Sequence, residues 1–361
     1  MLKFMQEVNK NYTIVKGIAD EQELENYRLC FQRNGTERDI KNLQWLHKQN
    51  QANTNTIFYA MDGNNVAAIY TALPVLFNLD GKIVPSLQSI DTMTDEFHRG
   101  KGLFIKLAAA LYEDAATQKF GLVYGFPNEN SAPGFFKKLK WTSFGEAPFM
   151  IKPLRLAYFL KKILNKKKGS DFSSANHIFG APESVQLKNS YVIKAIGGFD
   201  ENYNSLWNSA RSSFKVGINR DASYMNWRYI QKPGEHYYRY GLFEHDQLKA
   251  VIVFSLKKKH DGLIGYVMEL IFNPGDKKSA KAILKFATKI FRQQKTDVVL
   301  AWCFPHSFNY KSYKNAGYYN LPPKLRPQKL YLGVRAFNEA DRSVIENTAN
   351  WYISYSDSDT V

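Results

Sequence analysis

The stretch Asp91-Thr92-Met93-Thr94-Asp95-Glu96-Phe97-His98-Arg99-Gly100-Lys101-Gly102-Leu103-Phe104-Ile105-Lys106-Leu107-Ala108-Ala109-Ala110-Leu111-Tyr112 decides how this chain is read. Its front closes a run of short alternating strands. Its back, rich in alanine and leucine with apolar residues every three to four positions, predicts a helix. A glycine-rich basic turn therefore joins strand to helix. The first N–H groups of a helix lack intrahelical acceptors, the helix dipole is positive at that end, and glycine lets a phosphate approach the backbone. Arg99 and Lys101 add positive charge. An ordinary helix start with two glycines in a tight turn would look the same, so the turn alone does not decide.

Upstream, Ile57 to Met61, the turn Asp62-Gly63-Asn64-Asn65 and Val66 to Leu73 form a hairpin signal. Asn78-Leu79-Asp80-Gly81 leads into a second hairpin strand, Ile83 to Ser89. Downstream, Gly121 to Phe126 reads as a strand, followed by Pro127-Asn128-Glu129-Asn130-Ser131 and by Phe135 to Trp141. Strand, Arg-Gly-Lys-Gly turn, helix, strand and Asn-rich loop in this order resemble the Gcn5-related N-acetyltransferase (GNAT) fold.

The resemblance implies that the turn binds the diphosphate of acyl-CoA and that a splay between neighbouring strands admits the pantetheine arm. Backbone amides before the turn would polarise the thioester carbonyl. Carried onto this chain, Arg99, Gly100, Lys101, Gly102, Leu103 and Phe104 fill the Gln/Arg-x-x-Gly-x-Gly/Ala positions. Phe104 departs, standing where a small residue is usual. Thr94, with Met93 beside it, falls where the family offers backbone to the thioester; Asn128 and Ser131 fall where it contacts CoA. The family's frequent general-acid tyrosine aligns with Phe136, which has no hydroxyl.

The second half repeats the first. Phe304-Pro305 matches Phe126-Pro127, and the same offset lays Ala280 to Ala301 over Gly102 to Val123. Lys278 and Ala280 then replace Gly100 and Gly102, so the second copy is expected to be degenerate, with one CoA site per chain. It keeps Tyr313 and Gly317-Tyr318 in the tyrosine context, where a buried structural tyrosine is an equal reading. The expected class is α/β (α+β): two tandem GNAT-like domains, each a twisted, mostly antiparallel mixed sheet flanked by helices. The boundaries are 1–152 for the first domain, 153–195 for a basic helix and linker, 196–340 for the second domain and 341–361 for a tail. The helix from Pro153 to Lys168 is basic and amphipathic, suiting either packing on the first domain or weak contact with an anionic membrane surface.

Aromatic content of 15% among 361 residues excludes a disordered or low-complexity chain. Lys plus Arg number 49 against 33 Asp plus Glu, and the net +16 favours anionic partners without choosing one. Cys30 and Cys303 make neither a disulfide framework nor, with any histidine, a metal cluster, so no metal is expected. The charged N-terminus and the lack of a long apolar run point to the cytoplasm.

Acyl transfer needs a neutral amine. A lysine-type amine requires a strong base, whereas the amine of an amino sugar titrates closer to roughly 8, so a weak base suffices. Asp91, a carboxylate on a strand, is the candidate base, with Thr94 at the thioester. Arg220 to Tyr229 packs aromatics and arginines, and with Asp357-Ser358-Asp359 resembles tandem acyltransferases that modify sugars of bacterial surface polysaccharides. In such an acceptor site Arg228 would clamp a diphosphate and Trp227 or Tyr224 would stack on a nucleotide base; an aromatic core with one snorkelling arginine is the other reading of the same residues. The donor is expected to be acetyl-CoA or a longer hydroxyacyl-CoA, and the acceptor a nucleotide-linked amino sugar of the dTDP-amino-dideoxyhexose type for O-antigen or lipopolysaccharide synthesis. Alternatives are transfer to a peptide, polyamine or aminoglycoside amine, and an acyl-CoA- or nucleic-acid-binding protein without turnover; nucleic acid is not the expected partner.

Overall fold

The computed structural model describes residues 12–158, 174–187, 190–259, 261–326 and 329–358. The chain opens with β1 (Thr13–Lys16), helices α1 (Glu21–Arg33) and α2 (Ile40–Lys48), then β2 (Ile57–Asp62), β3 (Asn65–Leu79) and β4 (Lys82–Thr94). After α3 (Leu103–Thr117) come β5 (Leu122–Gly125), a π-helical turn (Gly134–Lys138), β6 (Thr142–Glu146) and β7 (Phe149–Pro153). The next strands are β8 (Ala175–Asn176), β9 (Ser184–Gln186) and β10 (Tyr191–Ala195), followed by α4 (Glu201–Arg211), β11 (Val216–Ile218) and α5 (Ala222–Tyr229). The second motif runs through β12 (Tyr238–Glu244), β13 (Gln247–Lys259), β14 (Gly262–Phe272), α6 (Lys277–Gln293), β15 (Val298–Trp302), α7 (Tyr310–Asn315) and β16 (Tyr319–Asn320). It ends with β17 (Tyr331–Ala336) and α8 (Arg342–Ile345).

Two mixed sheets result, ordered β1-β2-β3-β4-β5-β17-β6 and β16-β7-β15-β14-β13-β12-β10-β9, with β11 beside β3 and β8 beside β13. In each, one parallel pair marks the centre: β4 with β5, and β14 with β15. The rest is antiparallel, as the alternating hairpins predict. The α3 and α6 helices pack on corresponding faces, burying Leu103, Leu107 and Leu111 in one case and Ile283, Ala287 and Ile290 in the other.

Two strands are exchanged between the halves drawn from sequence as 1–152 and 196–340. β7 leaves the first half and pairs with β15, while β17 returns from the second half and inserts between β5 and β6. The crossing is short: Ala147 donates its N–H to the Leu330 carbonyl, and the next carbonyl, Pro148, accepts from Cys303. Each sheet is therefore incomplete without a strand from the other half. The segment read as a tail beyond 340 is also internal. Trp351, Tyr352, Ile353 and Tyr355 are buried in a core shared with Phe77 and Tyr124 of the first sheet and Met268 and Trp302 of the second.

Of the basic segment, Leu156–Tyr158 are helical, and 159–168 lie outside the described residues, as does the membrane contact expected there. Among the described residues, no helix is long and apolar enough to cross a membrane, and no group of three His, Cys, Asp or Glu could hold a metal ion.

Candidate active site

The turn before α3 has the geometry its glycines require. Gly100 and Gly102 sit at φ +78° and +71°, the left-handed region that other L-residues enter only with strain, and nothing lies within 4 Å of a Cβ built on either. Gly102 is the N-cap residue of α3, and no side chain caps the helix. The turn faces a cavity of about 460 Å³ lined also by Thr94, Arg99, Lys101, Lys137 and Lys138. Uncapped amides, open space above two glycines and four nearby cations fit a diphosphate. Arg99 folds back, its Nε 3.3 Å from the Thr94 carbonyl. Phe104 is accommodated from across the cavity: a Cβ on Gly134 would lie 2.6 Å from its ring, so the small residue the family places at 104 is exchanged for one at 134. Leu103 is buried beneath the turn.

A second cavity, of about 410 Å³, opens where the two central strands part. β4 and β5 stay in register from Leu87↔Val123 to Ser89↔Gly125, after which β4 runs on to Thr94 paired with β3 only. Asn128 and Ser131 line this splay. The Asn128 side chain accepts the N–H groups of Asn130 and Ser131 at 3.0 and 3.1 Å, holding the loop that leads into the π-helical turn. Met93 points its side chain toward the core under α1 and α2, leaving only its backbone on the strand.

Asp91 lies at the junction of this splay with a third cavity, of about 310 Å³, and lines both. Arg38 grips it with Nε at 3.0 Å from Oδ2 and Nη2 at 2.5 Å from Oδ1, and the Tyr27 hydroxyl donates to Oδ2 at 2.8 Å. Burial pushes the Tyr27 hydroxyl well above its usual pKa, so it remains a donor. His47 is buried near Tyr27, where desolvation lowers it to about 4 against a smaller opposing pull from Asp91.

The third cavity lies between the halves, with Tyr224, Trp227 and Arg228 in its wall. Trp227 stacks on Trp45 at 4.2 Å, and the indole N–H of Trp45 donates to the Trp227 carbonyl. Arg228 is buried and directs Nη2 to the carbonyls of Ser356 and Ser358 at 3.5 and 3.1 Å. Its cation therefore holds the C-terminal segment as well as facing the cleft. The four carboxylates of Glu37, Asp39, Asp91 and Glu235 line the cleft with three cations, Arg38, Arg228 and Lys232.

That segment is anchored more deeply by fully buried Arg220, which donates to Glu269 at 2.8 Å and also pairs with Asp357. Burial outweighs the pull of Arg220 and raises the Asp357 carboxyl to about 6. Gln88 reaches across from β4 to donate to the Asp357 carbonyl at 2.8 Å.

The second half closes each feature that the first leaves open. Asp276 caps α6, accepting from the Ser279 N–H at 3.0 Å and its hydroxyl at 2.6 Å. Phe272, at the end of β14, packs on Phe308 at 5.2 Å, and Asn309 accepts the Cys303 thiol at 3.0 Å. Tyr313 is buried against Tyr318.

Sequence reasoning did not find Arg38, Gln88 or Trp45. Arg38 sits in a loop with no local motif, and its partner lies 53 residues away, so no spacing signals the pair. Lys137 and Lys138 were visible in the Phe135 to Trp141 stretch, but only the fold turns them toward the glycine turn.

Residues 19–144 match the family model described as an acetyltransferase (GNAT) domain. No curated protein matches the sequence. Among solved structures, the chain is similar to an N-myristoyltransferase of Saccharomyces cerevisiae with bound myristoyl-CoA and inhibitors, at 13% identity and TM-score 0.60, over 93% of this chain and 82% of that one. It is also similar to a GCN5-related N-acetyltransferase from Anabaena variabilis, at 12% identity and TM-score 0.62, over 92% and 75%. A conserved protein of unknown function from Enterococcus faecalis, a probable N-acyltransferase, gives 11% identity and TM-score 0.59, over 92% and 74%. Residues 19–144 thus match a GNAT-type acetyltransferase domain, and the two-sheet chain shares the fold of these solved structures.

Proposed function

We propose that this GNAT-type N-acyltransferase moves an acyl group from acyl-CoA to the amine of a small molecule seated between the two halves. The observation that carries this reading is the arrangement of three cavities along β4: the glycine turn follows its last residue, Thr94, Thr92 lines the splay, and the splay shares Arg38, Gln88, Ile90 and Asp91 with the acceptor cleft. The amides of Gly100 to Phe104 hold the diphosphate, and the parted ends of β4 and β5 hold the pantetheine. The amine meets the thioester beside Asp91, forming the C–N bond as the thiolate leaves. Asp91, oriented by Arg38 and Tyr27, helps take up the amine proton. The donor supplies the activated acyl carbon; the chain supplies alignment and exclusion of water.

For the acceptor, resemblance favours a nucleotide-linked amino sugar of surface polysaccharide synthesis. The aromatic wall of Trp45, Trp227 and Tyr224 and the cations Arg38 and Lys232 suit a base or sugar and a phosphate. A cationic amine, such as a polyamine or aminoglycoside, is the second reading, favoured by the four carboxylates that offset the overall positive charge inside the cleft. Thiol release from acetyl- and hydroxyacyl-CoA against a panel of nucleotide-amino sugars, polyamines, aminoglycosides and peptides separates the two. Turnover with the sugars supports the first, turnover confined to polycations supports the second, and acyl-CoA binding without turnover on any amine overturns both.

A further inference from the structure

Beneath the splay runs a buried chain of hydrogen bonds that the reading above does not use. The indole N–H of Trp141 donates to the Tyr112 hydroxyl at 3.1 Å, the Tyr112 and Tyr70 hydroxyls lie 2.8 Å apart, and Tyr70 donates to Ser89 Oγ at 3.0 Å. An indole nitrogen can only donate, and each hydroxyl has one proton. Since the Tyr70 proton goes to Ser89, the bond between the two tyrosines must be donated by Tyr112. The direction of the whole chain is thereby fixed, from Trp141 to Ser89. The reverse order would leave the Tyr112 proton without an acceptor in the core, which costs free energy. Burial raises Tyr70 to about 12 and pushes Tyr112 well above the usual phenol range, so both stay protonated throughout the working range.

The chain leaves one proton over. Ser89 Oγ accepts from Tyr70, and among the described residues its own O–H has no acceptor. Ser89 lines the splay cavity. It is also the last residue of β4 in register with β5, paired with Gly125, so it stands where the strands begin to part. Thr94, which the resemblance sets at the thioester, lines the cavity at the glycine turn instead; five residues of strand, about 17 Å at ~3.4 Å per residue, separate it from Ser89, and an extended pantetheine arm would span them. A donor with its diphosphate at the turn brings its thioester end to this hydroxyl.

We propose that Ser89 is a catalytic residue, its hydroxyl donating to the acyl carbonyl oxygen of the thioester. Tyr70, Tyr112 and Trp141 are the positioning residues that hold it in that direction. As the amine nitrogen attacks, the C–O π pair moves onto oxygen. Ser89 keeps its proton but shares it with the developing oxyanion, and the pair returns as the C–S bond breaks and the thiolate departs. A donor aligned before the reaction needs no reorganisation during it. Phe136 supplies no hydroxyl to the site, so Ser89 gives the splay a side-chain donor from another strand.

The inference rests on the acyl-CoA reading, and the test keeps the two apart. Thiol release gives kcat, and calorimetry gives the Kd of free CoA, which has no acyl carbonyl. S89A should lower kcat about 10²-fold, the usual effect of losing one oxyanion donor, with the CoA Kd changed less than twofold; S89T should restore most of the rate. Y70F, which removes the orienting proton but keeps the ring, should lower kcat by a smaller factor with the same unchanged Kd. Wild-type kcat in S89A overturns the inference, as does a loss shared equally by kcat and CoA affinity. If the wild-type chain binds no acyl-CoA, it is the proposed function that fails.

Discussion

The two strand-to-helix junctions have the same fold and opposite finishes. At α3 the N-terminus is held by Gly102, with no side chain over its amides and open space above the glycines. At α6 the carboxylate of Asp276 occupies the equivalent amides and brings a negative charge to the place where a phosphate would lie. The strand ends differ in the same sense. Ser89 and Gly125 border a cavity, whereas Phe272, Phe308 and Asn309 fill the corresponding gap. For the proposed acyl-CoA site, this means that a half is open to a donor only where both the helix cap and the interstrand packing are left out. The second half uses those positions for stability and offers its surface to the cleft.

The sharpest way to break this contrast is at the glycines. G102V places a β-branched residue at φ +71° and narrows the cavity, so acyl-CoA affinity should fall more than about 100-fold, equivalent to ~3 kcal/mol. K278A, at the second half's counterpart of Gly100, should leave affinity within twofold; equal losses in an isothermal titration would show that both junctions bind. D91N should lower kcat about 10²-fold, as for loss of an acid–base group, with CoA affinity retained. An unchanged rate would reduce the Arg38–Asp91 pair to a purely structural role.

Each half also buries an ionisable group, and the two respond to pH in opposite directions. The pKa of His47 is depressed from 6.5 to about 4, so its stabilising contribution is complete above 6.5 and is lost as pH falls through 4. That of Asp357 is raised from 3.8 to about 6, so its contribution is complete below 3.8 and is lost as pH rises through 6. Between pH 4 and 6 the two slopes offset. H47L should make stability fall with pH across that window and D357N should make it rise, each by up to ~3 kcal/mol; parallel denaturation profiles in both variants would contradict this. The smallest effect belongs to D276A, which should cost ~1 kcal/mol for a lost cap. It should create no second CoA site, because no glycine opens the backbone at Lys278 or Ala280.

The parts of this molecule written locally were legible. The Arg99–Gly102 turn, the helix behind it and the two hairpins depend on neighbours in sequence, and the repeat placed α6 and β15 over α3 and β5. What escaped depends on distant partners. No pattern in Phe149–Pro153 says that this strand pairs with Val298–Trp302 instead of returning to its own sheet. The same holds for β17. Residues 351–358 fall in the stretch read as a tail, yet the Ser354 hydroxyl, the Ser358 carbonyl and Asp357 answer charges fixed elsewhere, on Arg220 and Arg228. Tyr224, Trp227 and Arg228 do reach the cleft, but Arg228 divides its cation between that cleft and the C-terminal carbonyls.

The central claim, a single diphosphate cradle per chain, is tested most directly by a crystal structure with a non-hydrolysable acyl-CoA. The account predicts one molecule, its diphosphate against the amides of Gly100 to Phe104 and its acyl end between Ser89 and Asp91. Density for the diphosphate at the N-terminus of α6, at both junctions or at neither would contradict it.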